Sequence, residues 1–249
     1  MEITAVNNDL VKETTKLQQR KYRDKENKFL LEGFKSIDEA YRAGIEIEIV
    51  FVKKEKATEY AFLQDKLILT NEAVLKKIST TETAPDAVGV AIQKHYSIAD
   101  LQSVQKVVLL EDIRDYGNLG TILRTATAFG VDAVVLYGDC VDIYNPKCVR
   151  ASVGNLWKIP VMNVKDFTLL KSTFENYQKV ATLPRATNLL KNFQTKLPTL
   201  VMFGSEANGL SQDLINFATD EVKIEMAENV ESLNLSISCA VVLYEIFVV

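Results

Sequence analysis

The sequence predicts an α/β fold in two successive units, a small one over residues 1–100 and a larger one over residues 101–249 built on a parallel sheet. Three observations predict it. Apolar runs of strand length alternate with helical periodicity along the chain. Residues 107–136 read strand, helix, strand, a βαβ unit whose parallel pairing needs cover on both faces. Residues 97–105 turn short-patterned and polar, as a linker does.

In the first unit, Asp9 stands where it can cap a helix through the basic stretch that follows. Residues 32–43 read as a second helix, with Ile37, Ala40 and Tyr41 on one face and Gly44 as its stop. Residues 45–52 alternate apolar and acidic and then turn fully apolar, a strand; residues 67–69 are a short buried strand. Asn71 can cap a helix over 72–78, and 88–92 gives another strand. In the second unit, a strand at 107–110 precedes a helix over 119–129 closed by Gly130, then a strand at 133–136. Further strands read at 180–183, 200–203 and 222–224, and a long apolar helix over 233–246 follows.

Composition sets bounds. Hydrophobic residues at 47% and charged residues at 25% match an ordinary globular protein. No apolar run reaches the roughly 20 residues that span a bilayer. The first residues lack the basic and apolar regions of a signal peptide, so a cytoplasmic location is expected. Cys140, Cys148 and Cys239 lack CxxC spacing and predict reduced thiols; with a single histidine, His95, they assemble no metal site. A net charge of −4 argues against gripping nucleic acid through bulk charge. Yet Lys12, Lys16, Arg20, Lys21, Arg23, Lys25 and Lys28 outnumber Glu13, Asp24 and Glu26 in one stretch, which suits either a phosphate-contacting patch or a solvated helix face. His95 reads as a surface residue and Trp157 as packing.

Three segments carry chemistry, each at the carboxyl end of a strand, where open α/β sheets place ligands. In residues 111–124, Asn118 falls at a helix entrance, as a cap or a ligand holder, and Arg124 follows on the same helix. In residues 200–211, an apolar strand runs into a loop in which Gly204 and Gly209 bracket Ser205 and Glu206, and Ser211 can cap the next helix. A phosphate loop would want a cation here; Glu206 suits hydroxyls, amines or a cationic centre instead. In residues 224–236, a strand passes through a polar loop to Ser232 and Asn234 at a helix start, a compact cluster of donors and acceptors. GxGxxG is absent, and residues 111–115 offer no glycine-rich turn, which weighs against a dinucleotide-dependent oxidoreductase.

Together these segments resemble the SpoU (TrmH-like) branch of the knotted SPOUT RNA methyltransferases over essentially the whole chain. Residues 118–130 read NLGTILRTATAFG, residues 204–211 match GxExxGLS, and Ile224, Met226 and residues 231–245 match IxM followed by ESLNxSxxxxxxLYE. Asn145-Pro146-Lys147 and residues 150–154 match NPKxxRASxG. One departure is local: the family has Pro before the first-motif Asn, as in DPxN, where this chain has Asp115-Tyr116-Gly117-Asn118. Residues 20–23 and 29–33 are similar to the ribosomal-protein L30e-like substrate-binding domain that many members carry.

The resemblance implies a trefoil-knotted second domain that transfers methyl from S-adenosylmethionine to a ribose 2′-hydroxyl of RNA without a metal. Ribosomal RNA is favoured over tRNA; an RNA-binding protein without catalysis is the rival from another class. The resemblance implies catalytic roles for Asn118, Arg124, Glu206, Ser232 and Asn234. It implies cofactor contacts from Leu183, Gly204, Ser205, Glu206, Gly209, Ile224, Met226 and Leu233, with Leu183, Ile224 and Leu233 on the adenine. Arg20, Lys21, Arg23 and Arg150 are expected on RNA, and a homodimer is expected, its site drawing on both subunits. With three residues after Ile246, no C-terminal extension is expected to help choose the RNA.

Overall fold

In a computed structural model of the chain, every residue is described except Gln102, Glu228, Glu231 and Val249. The elements run α1 (Asp9–Lys16), α2 (Arg20–Glu26), β1 (Lys28–Glu32), α3 (Phe34–Arg42), β2 (Ile47–Lys53), β3 (Leu67–Thr70), α4 (Glu72–Ile78) and β4 (Ala87–Ile92). Then come β5 (Lys106–Glu111), α5 (Tyr116–Ala128), β6 (Ala133–Tyr137), α6 (Pro146–Ser152), β7 (Val161–Val164), α7 (Phe167–Thr173) and β8 (Gln178–Thr182). The last are β9 (Thr199–Phe203), α8 (Gln212–Phe217), β10 (Asp220–Val222) and α9 (Leu235–Phe247). Two compact units form: Met1–Lys94 with Asp142–Trp157, and His95–Val141 with Lys158–Val249.

The first unit holds a four-stranded sheet in the order β1-β4-β2-β3, antiparallel except for the parallel β2–β3 pair. The strand β1 is missing from the sequence reading, whose helix over 32–43 overlaps it only at Glu32. Phe29, Leu30 and Leu31 are all buried and pair with β4, and Gly33 at φ +83° turns the chain so that α3 starts only at Phe34. Asn8, not Asp9, caps α1: its Oδ1 accepts from Leu10 N at 2.9 Å. The basic stretch is two helices rather than one, because Leu17 turns inward at 4% exposure to join the core of Val11, Leu30, Phe51, Leu75 and Val88. Asn71 caps α4 as expected, accepting from Val74 N at 3.0 Å.

Residues 142–157 complete this unit. A division of the sequence at residue 100 leaves them with the second unit, whereas their contacts lie with the first. The Phe29 ring packs on Tyr144 at 4.8 Å and on Trp157 at 5.3 Å between centroids, so Trp157 is packing. Arg23 is a correction to the expected RNA-facing set. It is 1% exposed, with Nε and Nη2 donating to Asp142 Oδ2 at 2.9 and 2.5 Å and Nη1 to the carbonyls of Leu17 and Gln18. All its donors turn inward because a buried guanidinium must be paired and satisfied. Arg150 is likewise engaged, donating to the buried Glu32 carboxylate and to Thr80 Oγ1.

The second unit is a six-stranded, wholly parallel sheet in the order β10-β8-β9-β5-β6-β7. Residues 107–111 of β5 are buried throughout, as a strand covered on both faces requires. Helix α5 buries Leu119, Ile122, Leu123 and Ala126 at i, i+3, i+4 and i+7. Each large member contributes roughly 1.5–3 kcal/mol by leaving water. From β5 the chain proceeds outward through β6 to β7, then returns to the opposite side at β8 and inserts β9 between β8 and β5. The strand order therefore reverses at the β5–β9 boundary, a topological switch point that opens a crevice at the strands' carboxyl ends.

Candidate functional site

The crevice is built by the loops after β8, β9 and β10 together with the first turns of α9. Its cavity, about 430 Å³, is lined by Thr182, Leu183 and Pro184, by Phe203 to Glu206 and Gly209, by Val222 to Ile224 and Met226, and by Ser232 to Leu235 with Ser238 and Val242. All eight residues expected to hold a cofactor (Leu183, Gly204, Ser205, Glu206, Gly209, Ile224, Met226 and Leu233) are on this wall.

The loop after β9 is closed on itself. Gly209 N donates to Ser205 O at 2.9 Å, and Asn208 N to Ser205 Oγ at 3.2 Å. A Cβ on Gly204 would stand 1.9 Å from the Gly209 carbonyl carbon, so that position admits no side chain, while Gly209 sits at φ +68°. Ser211 ends the loop and caps α8.

Three side chains from three distant segments form a chain of hydrogen bonds. Asn118 Nδ2 donates to Glu206 Oε1 at 2.5 Å, and Asn234 Nδ2 donates to Asn118 Oδ1 at 3.1 Å. The cap of α5 is Asp115, whose Oδ1 accepts from Asn118 N at 2.8 Å; the side chain of Asn118 is thereby released to join its two partners. Asn234 does both things that its position allows. Its Oδ1 caps α9, accepting from Ser236 N at 2.9 Å, and its amide nitrogen reaches Asn118. Ser232 lines the cavity two residues earlier. Glu231, part of the third motif, lies outside the described residues.

Arg124 does not join this group. It sits six residues beyond Asn118, roughly 9 Å along the helix axis, exposed, with no hydrogen bond or ion pair among the described residues. Behind the cavity, Cys239 is fully buried; burial, then the nearby Glu206 charge, pushes its thiol well above the usual range. Among the described residues no group of three His, Cys, Asp or Glu could hold a metal ion.

Several lining residues escaped sequence reading. Ser238 and Val242 follow Asn234 at i+4 and i+8, so helical periodicity from the predicted cap could have found them. Thr182, Pro184, Lys223 and Leu235 are chain neighbours of predicted residues and carry no signal of their own. In the first unit, Arg20 and Lys21 are exposed; Arg20 pairs with Asp24 at 3.5 Å and Lys21 Nζ lies over the Tyr22 ring at 4.7 Å.

Comparison with known proteins places two families on the chain. Residues 105–244 match the SpoU rRNA Methylase family, and residues 8–89 match the MRM3-like substrate binding domain. A tRNA/rRNA methyltransferase of Synechocystis, itself uncharacterized, is 34% identical over 98% of this chain and 92% of its own length. A 23S rRNA (guanosine(2553)-2′-O)-methyltransferase of Bacillus subtilis is 26% identical over 98% of both. Among solved structures, the AdoMet-bound rRNA methyltransferase from Sinorhizobium meliloti superposes with a TM-score of 0.90 at 28% identity, covering 98% of this chain and 96% of that one. An RNA 2′-O ribose methyltransferase superposes at 0.83 with 33% identity, covering 98% and 97%.

Proposed function

The chain belongs to the SpoU rRNA methylase family and is an S-adenosylmethionine-dependent RNA 2′-O-ribose methyltransferase; from that premise we propose that its substrate is ribosomal RNA, bound by the first unit and methylated at the cavity of the second. One observation carries the assignment of the site: the three motif loops line a single cavity, and Glu206 and Asn234 on its wall are joined through Asn118. The match of residues 8–89 to a substrate binding domain, with exposed Arg20 and Lys21, supports the RNA role of the first unit. The mixed sheet there supports the L30e-like reading. Insertion of β9 between β8 and β5 supports the trefoil knot, as does the loop over residues 183–198, which bonds Lys223 O from Leu190 N and Ile246 O from Thr195 Oγ1.

The cavity fits the cofactor by chemistry and size. About 430 Å³ is in the usual range for such ligands. Leu183, Ile224 and Leu233 offer apolar cover for the adenine, and the backbone around Gly204 and Gly209 approaches without side chains in the way. Glu206 gives a negative wall suited to a cationic centre, as the loop composition predicts. The bound cofactor supplies a methyl group on a sulfonium sulfur, activated without a metal. The protein must then hold a ribose 2′-oxygen in line with that methyl, roughly 3 Å away, while its proton departs. Asn118, Glu206, Ser232 and Asn234 orient the ribose. Arg124, whose planar guanidinium presents a fork of N–H donors matched to phosphate oxygens, grips the adjoining substrate phosphate and so places the hydroxyl.

Arg124 stands outside the cavity of its own chain, which favours a homodimer in which it serves the partner's site. The exposed apolar stripe Ile237, Val241 and Tyr244 on α9, with Val248 just past its end, supports this; Tyr244 contacts Phe129 at the end of α5. No helix among the described residues is long and apolar enough to cross a membrane; a cytoplasmic location belongs to the same proposal. The test is to incubate the protein with methyl-labelled S-adenosylmethionine and unmodified total RNA, then digest each RNA fraction. Labelled 2′-O-methyl nucleoside in ribosomal RNA is expected; label confined to tRNA overturns the substrate, and cofactor binding without label in any RNA overturns the catalytic reading of naked RNA.

A further inference from the structure

Glu111 is a buried carboxylate that the motifs leave without a task. It ends β5 at 5% exposure, and no ion pair with a cation is found for it among the described residues. Its Oε2 accepts one hydrogen bond, from Ser211 N at 2.7 Å, across 100 residues of sequence. A carboxylate taken out of water at such a place is costly unless a specific donor holds it. Its negative charge is felt next door: burial, then Glu111, pushes the hydroxyl of Tyr137, its partner in β6, upward.

Ser211 is the last residue of the loop that carries Glu206 and Gly209. Inside that loop, bonds from Gly209 N and Asn208 N return to Ser205 and close residues 205–209 without reaching Ser211. Two bonds tie it to the β5–α5 segment: Asn118 to Glu206, and Ser211 to Glu111. We propose that Glu111 is a positioning residue for the cofactor loop, holding residues 204–211 in register with α5 so that Glu206 meets Asn118 and Gly204 closes the cavity wall. The inference rests on the cofactor reading of that cavity. It assigns Glu111 an effect on cofactor affinity rather than on the reacting atoms.

The test is S-adenosylmethionine affinity of the full chain, measured by calorimetry for the unsubstituted protein and for Glu111→Gln, Glu111→Asp and Glu111→Ala, with the unfolding midpoint of each taken without cofactor. Gln keeps the acceptor at the same reach, whereas Asp keeps the charge but is one methylene short. The expected result is a Kd within about threefold for Gln and weakened about tenfold or more for Asp and Ala, the scale of one hydrogen bond to a charged group. The KM for cofactor should rise in step while kcat at saturating cofactor changes less. Asp binding as well as the unsubstituted protein while Gln fails would overturn the proposal in favour of a charge effect. Equal affinity in all four overturns it outright. No binding by the unsubstituted protein overturns the cofactor reading itself.

Discussion

Asn118 reaches across 88 residues of sequence to donate to Glu206 at 2.5 Å, and it can do so because Asp115 has taken over the capping of α5. The same amide accepts from Asn234. Replacing Asn118 by Ala breaks both links and is expected to lower kcat/KM for methyl transfer about ten- to a hundredfold. Asn118→Asp sets a carboxylate against Glu206 and is expected to be worse than Ala at neutral pH. An Asp variant that outperforms Ala would contradict the arrangement.

Arg124 is exposed and bonded to nothing described, so its removal should leave the fold alone. Arg124→Ala is expected to keep the unfolding midpoint and cofactor affinity while losing roughly a hundredfold or more of turnover, the scale of a positioned activating group. Unchanged methyl transfer in this variant would remove Arg124 from the mechanism.

Gly204→Ala puts a methyl 1.9 Å from backbone that has no room to yield. The loop over residues 204–211 must then open, and cofactor binding measured by calorimetry should fall below detection. An Ala variant binding normally would mean that the close approach of Gly204 to Gly209 is not required.

Arg23 and Arg20 separate structure from recognition. Arg23→Ala leaves the Asp142 carboxylate buried and unpaired, and is expected to cost about 3–5 kcal/mol of stability. Arg20→Ala touches only an exposed pair and should leave stability within about 0.5 kcal/mol, while weakening RNA binding at low salt. Denaturant titration and RNA binding, run on both variants, test the division.

Val241 and Tyr244 lie on the exposed stripe of α9. Val241→Asp would bury a charge in any interface formed there, so sedimentation is expected to show a monomer and methyl transfer to fall with it. A dimer that survives this change must use another face.

Much of the site was legible because its chemistry is local in sequence. The stretches 111–124, 203–212 and 222–236 each carry a strand end, a turn and a helix start, and those features announce themselves through Gly, Asn and Ser at fixed offsets. What stayed hidden depends on partners far along the chain. Arg23 reads as a surface cation until Asp142, 119 residues away, is seen to bury it. The strand β1 reads as the approach to a helix because its apolar run is short and its pairing with β4 is non-local. Glu111 looks like the start of a polar loop, and only the return of the chain at Ser211 gives it a role.

Residues 142–157 are made late but belong early. A chain emerging from its ribosome amino end first would present β1 to β4 long before Tyr144 and Trp157 arrive to cover Phe29. Until residue 142 is out, Arg23 lacks its Asp142 partner, so the first unit is without its buried ion pair when only its 94 leading residues exist. Its maturation is coupled to synthesis of β5, α5 and β6, which lie between the two pieces. Shuffling this unit between proteins would likewise mean moving two segments of the gene in concert rather than one.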